Sequence, residues 1–126
     1  MAAVAEIIDI EADSSAPAGS QVNVRVTLRN KATVTAGIMV GGGLEYGASP
    51  WPTISFPVNQ ANFPPGQSYY FDGYFTMPAA NLTLHIYSYY YADGLWHFDD
   101  EKTKDVGLAA LSPAFSAFQV IDYLGL

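Results

Sequence analysis

The 126-residue sequence predicts an all-β fold, a single antiparallel β-sandwich of seven to eight strands. Apolar and polar residues alternate through most of the chain, which is the period of a strand with one buried face. Clusters of glycine, proline, asparagine and aspartate separate these runs at close spacing, and no convincing amphipathic helix precedes residue 108. Many short strands joined by turns are typical of two packed sheets.

The first three strands are predicted before residue 41. IIDIEA gives the first, and the turn-forming run DSSAPAGS follows it. QVNVRVTLR, residues 21–29, is the clearest strand, because valine or leucine alternates with polar residues throughout. ATVTAGIMV gives the third strand, which ends at Gly41–Gly43, where the backbone bends, bulges or lies close to a neighbour.

The later strands surround a proline-bounded loop. LEYGASPWPTISFPV contributes two short extended pieces, and NQANFPPGQ is a turn cluster. SYYFDGYFTM, residues 68–77, alternates again, and MPAAN leads into LTLHIYSYYY. From residue 84 to 105 the chain reads LHIYSYYYADGLWHFDDEKTKD, an aromatic hairpin that ends in charge.

The turn at Asp93–Gly94 permits two registers in this hairpin. A two-residue loop places Trp96 and Phe98 beside the tyrosines of the preceding strand. A three-residue loop that includes Ala92 places them inward. Because a one-residue slip exchanges every side chain between the two faces, the burial pattern favours the three-residue loop.

The favoured register divides the aromatic residues of the hairpin into two groups. Trp96 and Phe98 join Leu84 and Ile86 in the core, where large rings supply much of a small sandwich's burial energy. The outward face is predicted to carry Tyr87, Tyr89 and Tyr91 with His85 and His97. Such a tyrosine ladder fits either cross-strand pairing or a recognition surface.

Composition excludes several classes of function. Half of the residues are hydrophobic but only 13% are charged, and the net charge is −7, which argues against nucleic acid and against an anionic membrane surface. Cysteine is absent, so the chain has neither disulfides nor thiolate chemistry. No segment is long enough to span a bilayer, and the start does not resemble a signal peptide.

No catalytic constellation can be assembled from the sequence, and we predict a protein that is not an enzyme and has no cofactor or metal. The glycine run at 41–43 lacks the lysine of a phosphate-binding loop, and no serine lies in a nucleophile elbow. The acidic residues Asp93, Asp99, Asp100 and Glu101 lack the spacing of a calcium loop and are interpreted as a solvated charge run at an edge strand. Trp51, between two prolines, is interpreted either as a sugar-stacking residue or as a loop plug.

Residues 109–126 form an apolar C-terminal tail after the domain of residues 1–108. The tail carries one charge, Asp122, among many large apolar side chains. It is expected to fold back on its own sandwich, to form a short helix, or to add a strand to a neighbouring molecule. Its predicted contact residues are Phe115, Phe118, Ile121, Tyr123 and Leu124.

Two turn-and-strand motifs, APAGSQVNVRVTLRN and FPPGQSYYFDGYFTM, precede an extended run that ends in DDEKTKDV. Over roughly residues 4–108 this pattern resembles the bacterial CARDB group of immunoglobulin-like domains. The acidic ending before paired asparagines that is usual in that group is replaced here by DDEKTKD. The resemblance implies an immunoglobulin-like sandwich that serves adhesion, display or spacing, with no catalytic residues.

These observations predict a non-catalytic structural or assembly protein. It is expected to associate with itself or to decorate a larger surface, such as a virion, a filament or a cell-surface layer, through the tyrosines, His97 and the tail. Small sandwiches also occur as accessory proteins of virus particles, so a virion or extracellular location is favoured. A carbohydrate-binding or adhesion module that stacks sugars on Trp51 and the tyrosines is the alternative.

Overall fold

The computed structural model describes residues 4–110, and within this range the chain forms eight strands and no helix. The predicted all-β class is therefore confirmed. Among these residues there is accordingly no helix long and apolar enough to cross a membrane. The strands are β1 Ala5–Glu11, β2 Ser15–Ala16, β3 Gln21–Asn30, β4 Ala36–Glu45, β5 Gln60–Phe63, β6 Ser68–Thr76, β7 Leu82–Ala92 and β8 Leu95–Leu108.

The strands form two sheets. One has the order β1-β3-β6 and the other the order β2-β8-β7-β4-β5. All pairings are antiparallel except that of the two-residue strand β2, which runs parallel to the end of β8. Fully antiparallel sheets were predicted, and β2 is the exception to that prediction.

The core lies between the two sheets and follows the predicted alternation. In β3 the residues Val22, Val24, Val26 and Leu28 are all buried, while the polar residues between them face outward. The facing sheet contributes alternate residues of β4 and β7, and β6 contributes two phenylalanines. The main buried residues of these strands are Ile38, Val40, Leu44, Phe71, Phe75, Leu82, Leu84 and Ile86.

The segment between β4 and β5 connects the two sheets at one flank. Thr53 forms a bridge with Gly43 of the five-stranded sheet, and Ser55 forms one with Tyr74 of the three-stranded sheet. Between the bridges, Ile54 is buried and lies so close to Gly42 that a side chain there would meet it at 2.6 Å. The glycine run therefore serves close packing, one of the roles predicted for it.

The β7–β8 hairpin has the two-residue loop, so the predicted three-residue loop is wrong. Asp93 and Gly94 both have positive φ, 55° and 77°, as the type I′ turn of a two-residue hairpin requires. Tyr91 pairs with Trp96. Farther down, the register shifts between Ser88 and Tyr89, because β8 contains one extra residue at that point.

The bulge allows the strand register set by the turn to differ from the register of the core-forming part of the hairpin. Above it, Trp96 and Phe98 lie on the outer face, 37% and 57% exposed, so their predicted place in the core is wrong. His97 faces the other way and stacks on Tyr90 at 5.2 Å, so its predicted place on the outer face is also wrong. Below the bulge, Leu84 and Ile86 of β7 are buried opposite Lys104 and Lys102, and the buried pair of Leu82 with Val106 closes the core at the far end of the hairpin.

The residues at the bulge hold the free edge of β1. The backbone N–H of Ala5 donates to the Asp99 carboxylate, and that of Ile7 donates to Asp100 Oδ2 at 3.0 Å. Buried Ser88 lies between them: its hydroxyl donates to the Ala5 carbonyl at 2.6 Å and accepts from the Asp100 N–H at 3.1 Å. The acidic run is therefore a structural junction between the sheets, and the interpretation of Asp99 and Asp100 as a solvated edge is wrong.

Replacing Ser88 by alanine is expected to destabilise the fold by about 1–3 kcal/mol, because it leaves the Ala5 carbonyl and the Asp100 N–H without this buried partner. Urea unfolding of the variant measures this loss. The control is Ser68→Ala at an exposed strand position, with an expected change within about 0.5 kcal/mol. Equal stability of the two variants would contradict this role for Ser88.

Candidate functional site

One outward sheet face gathers most of the aromatic side chains of the β7–β8 hairpin. Alternate residues of β7 meet the upper part of β8 there, and the loop after β4 adds a tryptophan. We call this surface the aromatic face; its residues are Trp51, His85, Tyr87, Tyr89, Tyr91, Trp96 and Phe98.

Each ring of the aromatic face contacts at least one neighbouring ring. Phe98 lies between Tyr87 and Tyr89, with ring centroids 6.1 and 6.0 Å away. At the hairpin end, Trp96 meets Tyr91 edge-on at 5.2 Å. From His85 to Tyr91 the strand rise gives the surface a length of about 20 Å. The aromatic face thus consists of two groups of contacting rings on one sheet face, a larger one from Trp51 to Tyr89 and the pair of Tyr91 with Trp96 at the hairpin end.

Glycines of β4 border the platform and decide where Trp51 lies. Gly43 pairs with His85, and a Cβ at Gly43 would be 3.4 Å from the Trp51 ring. The indole therefore lies flat over the strand and stacks on the imidazole of His85 at 4.4 Å. Trp51 covers Gly43, as a loop plug would, and the residue is still 39% exposed, as a stacking residue would need to be.

His85 is held at the lower end of the aromatic face between two carboxylates. Its Nδ1 lies 2.8 Å from Glu101 Oε2 and its Nε2 lies 2.8 Å from Glu45 Oε1, so the doubly protonated ring donates to both. Burial lowers the pKa of His85, but these two hydrogen bonds outweigh burial and raise the pKa above its ordinary value. The protonated ring thereby ties together β4, β7 and β8.

A cleft of about 380 Å³ opens at the hairpin end of the aromatic face. The rings of Tyr91 and Trp96 form one wall, and the amide side chains of Gln60 and Asn62 on β5 form the other. Gly37 forms the floor, since a Cβ there would lie 3.3 Å from the Cβ of Tyr91 and would fill the space. The cleft offers flat rings and uncharged hydrogen-bonding groups.

A larger cleft of about 720 Å³ lies on the outer face of the three-stranded sheet, far from the aromatic face. Its one cation, Arg25, is already engaged: the guanidinium donates to both carboxylate oxygens of Asp72, at 2.8 and 3.1 Å, and covers the Tyr70 ring at 3.9 Å. The arrangement braces β3 against β6, and we assign it no ligand.

The predicted contact residues have different positions. Tyr87, Tyr89, Tyr91 and Trp51 lie together on the aromatic face, while His97 lies on the opposite face of its strand. The predicted contact residues of the tail lie outside the described residues. Within residues 4–110, no group of three or more histidine, aspartate or glutamate side chains is arranged to hold a metal ion.

Sequence reasoning missed the exposed Trp96 and Phe98, and it missed the amides of Gln60 and Asn62. The Asp-Gly turn was the available signal for the first pair, because it is the strongest sequence signature of a two-residue hairpin. Nothing in the sequence signals the amides, since β5 meets Trp96 only through the folded sheet.

No protein-family model and no curated protein sequence matches the chain. Several solved structures have a similar fold. The alkylpurine DNA glycosylase AlkC of Pseudomonas fluorescens, bound to DNA containing an abasic site analogue, is 12% identical with a TM-score of 0.63 over 87% of this chain and 32% of that chain. The sporulation control protein Spo0M of Bacillus subtilis is 16% identical, with a TM-score of 0.54 over 86% of this chain and 51% of that chain.

A third similar structure is that of the ApaA protein from Bordetella pertussis, 12% identical with a TM-score of 0.52 over 82% of this chain and 96% of that chain. The chain thus spans about a third of the length of AlkC and about half of Spo0M. At these identities the likeness concerns the fold alone.

The raised pKa of His85 makes stability depend on pH. Because the folded-state pKa is raised, the stabilisation is complete below the ordinary histidine pKa of about 6.5 and is lost as pH rises through the folded-state pKa. We expect the melting temperature of the wild type to fall more than that of His85→Gln between pH 5.5 and pH 8.5. Thermal melts of both proteins at the two pH values check this, and parallel changes would contradict it.

Proposed function

We propose that the chain is a non-catalytic assembly module that binds a protein surface, a second copy of itself or a larger array, through the aromatic face. The observation that carries the proposal is the outward position of Trp96 and Phe98, which enlarges the tyrosine ladder into a platform about 20 Å long. Exposed aromatic patches of this kind are typical of contact surfaces.

The composition of the aromatic face supports a protein partner. Tyrosine and tryptophan are enriched at protein interfaces because they give a large contact area at low entropic cost. The charged groups, Glu45 and Glu101, lie at one end and are hydrogen-bonded to His85. The centre around Tyr89 and Phe98 can therefore lose water without burying a free charge.

The strand order supports the finer assignment of the fold to an immunoglobulin-like sandwich of the CARDB kind. In that arrangement β1, β3 and β6 take the places of strands A, B and E, while β4, β7 and β8 take those of C, F and G. Display on a virion, a filament or a cell-surface layer is the setting that we propose for such a module.

Association through the aromatic face is tested by Phe98→Thr, which removes an exposed ring and keeps a residue that favours strands. In light scattering across a dilution series, we expect the wild type to associate and the variant to need about ten-fold higher concentration, as for loss of a central aromatic contact. Tyr74→Thr, at a 42% exposed tyrosine of the other sheet, is the matched control. A strictly monomeric wild type at high concentration would refute the proposal.

A second candidate function is binding of a neutral carbohydrate, favoured by the cleft at the hairpin end. The rings of Tyr91 and Trp96 suit the C–H faces of a sugar, and the amides of Gln60 and Asn62 suit its hydroxyl groups. No charged side chain lines this cleft, which disfavours an anionic ligand.

Titration with neutral polysaccharides tests this candidate by tryptophan fluorescence. We expect a change in the wild type and in Trp51→Phe, since Trp96 lines the cleft and Trp51 does not. Asn62→Ala is expected to weaken binding about ten-fold through the loss of a hydrogen-bonding wall. Absence of any response across a broad panel of neutral glycans would exclude this function for the cleft.

A further inference from the structure

The outer edge of β6 is open over part of its length. Tyr74 donates its N–H to the Ser55 carbonyl and accepts from the Ser55 N–H, at 2.9 and 3.0 Å, on the side away from β3. In an antiparallel ladder alternate residues point the same way, so Asp72, Tyr70 and Ser68 also present their backbone groups outward. Among residues 4–110 no strand pairs with that stretch.

An apolar groove of about 480 Å³ runs beside this open edge. Pro57, Val58 and Ala61 form one side, and β6 forms the other with Tyr69 and Phe71. Val58 is 66% exposed in this groove, and the one charged residue of the lining, Asp72, is already hydrogen-bonded to Arg25. An edge of free backbone groups next to an apolar groove suits an extended chain, whose backbone pairs with the edge while alternate side chains enter the groove.

The immunoglobulin arrangement has a strand at this place. Its four-stranded sheet has the order A-B-E-D, so a strand D normally covers strand E. Here the three-stranded sheet ends at β6, which takes the place of E, and the segment before β5 supplies only the bridge at Ser55. Within the described residues no strand lies in the position of D, and β5 pairs with β4 in the other sheet instead.

We propose that the open edge of β6, from Ser68 to Asp72, receives residues 113–126 of a second copy as an added strand. This inference rests on the proposed assembly function and names a further contact for it. The segment carries a single charge, Asp122, and alternate positions offer pairs of apolar side chains, Phe118 with Val120 or Ile121 with Tyr123. Such pairs match the spacing of side chains on one face of a strand.

Pairing of two β6 edges does not fill the groove. In each copy Phe71 is already buried in its own core, and Tyr69 packs edge-on against Phe63 at 4.9 Å. A second β6 would therefore add backbone hydrogen bonds without spare apolar side chains. The C-terminal segment provides both.

The topology favours a donor from another copy. The described part of the chain leaves β8 beside β2, whereas β6 lies at the opposite flank against β5. The lower end of the β6 edge, which is nearest to the end of β8, is covered by Ser55. The donor, residues 113–126, and the acceptor, the β6 edge, are different parts of the chain. Each copy can therefore donate a strand to one neighbour and accept a strand from another, and such a contact extends into open-ended chains.

The acceptor is tested with Tyr70→Pro in the full chain, because proline removes an outward N–H that the pairing with β3 does not use. Tyr70→Thr is the matched control, since it also loses the ring over Arg25 but keeps the N–H. Val58→Asp, which places a charge in the groove at an exposed site, is a second acceptor variant that leaves the strand intact. Val120→Pro is the donor variant.

All of these variants are made in the Phe98→Thr background, so that contact through the aromatic face is weakened equally. We expect Phe98→Thr alone and with Tyr70→Thr to show a scattering mass that rises with concentration. Addition of Tyr70→Pro, Val58→Asp or Val120→Pro is expected to hold the mass at that of a single chain.

Mixing then separates exchange between copies from packing within one chain. An acceptor variant and the donor variant, each monomeric alone, are expected to double in mass when mixed. The acceptor variant still has an intact C-terminal segment, and the donor variant still has an intact β6 edge. No doubling for either acceptor variant overturns the inference, as does an unchanged mass in all variants or a fall in melting temperature without a change in mass. In each of these cases the proposed function still stands if Phe98→Thr alone associates more weakly than the wild type.

Discussion

The junction between β1 and β8 governs the architecture of this protein. An edge strand needs partners for its outward N–H groups, and here two adjacent carboxylates, Asp99 and Asp100, accept them. Consecutive residues of a regular strand point to opposite faces, so both can reach β1 only where the strand is irregular. The bulge supplies that irregularity and fastens the two sheets together at Ser88.

The same bulge determines which side chains of the β7–β8 hairpin lie on the outer face. It allows the short Asp93–Gly94 turn to set one register near the hairpin end while the core sets another below. The consequence is that Trp96 and Phe98 lie outside with the tyrosines. A feature that satisfies two backbone amides of β1 thus also determines which aromatic rings meet solvent and are available to a partner.

The two surfaces that we propose for assembly lie on different sheets. The aromatic face is a platform of side chains on the five-stranded sheet, whereas the open edge of β6 offers backbone groups beside an apolar groove. The first kind of contact depends on ring packing and the second on strand pairing. A module with both can join neighbours in two independent directions, which suits a protein that extends or covers a larger structure.

The sequence predicts the all-β class, the positions of most strands and the buried side of β3, because strict alternation defines the two faces of a strand locally. It did not determine the faces of the β7–β8 hairpin. The bulge in this hairpin depends on hydrogen bonds such as that between Asp99 and Ala5, which are 94 residues apart in the sequence. It also depends on a core that forms only when the two sheets pack together. The Asp93–Gly94 turn is a local signal for the register that places Trp96 and Phe98 outside. Contacts across 94 residues leave no local pattern, so the bulge that makes this register compatible with the core could not be read from the sequence.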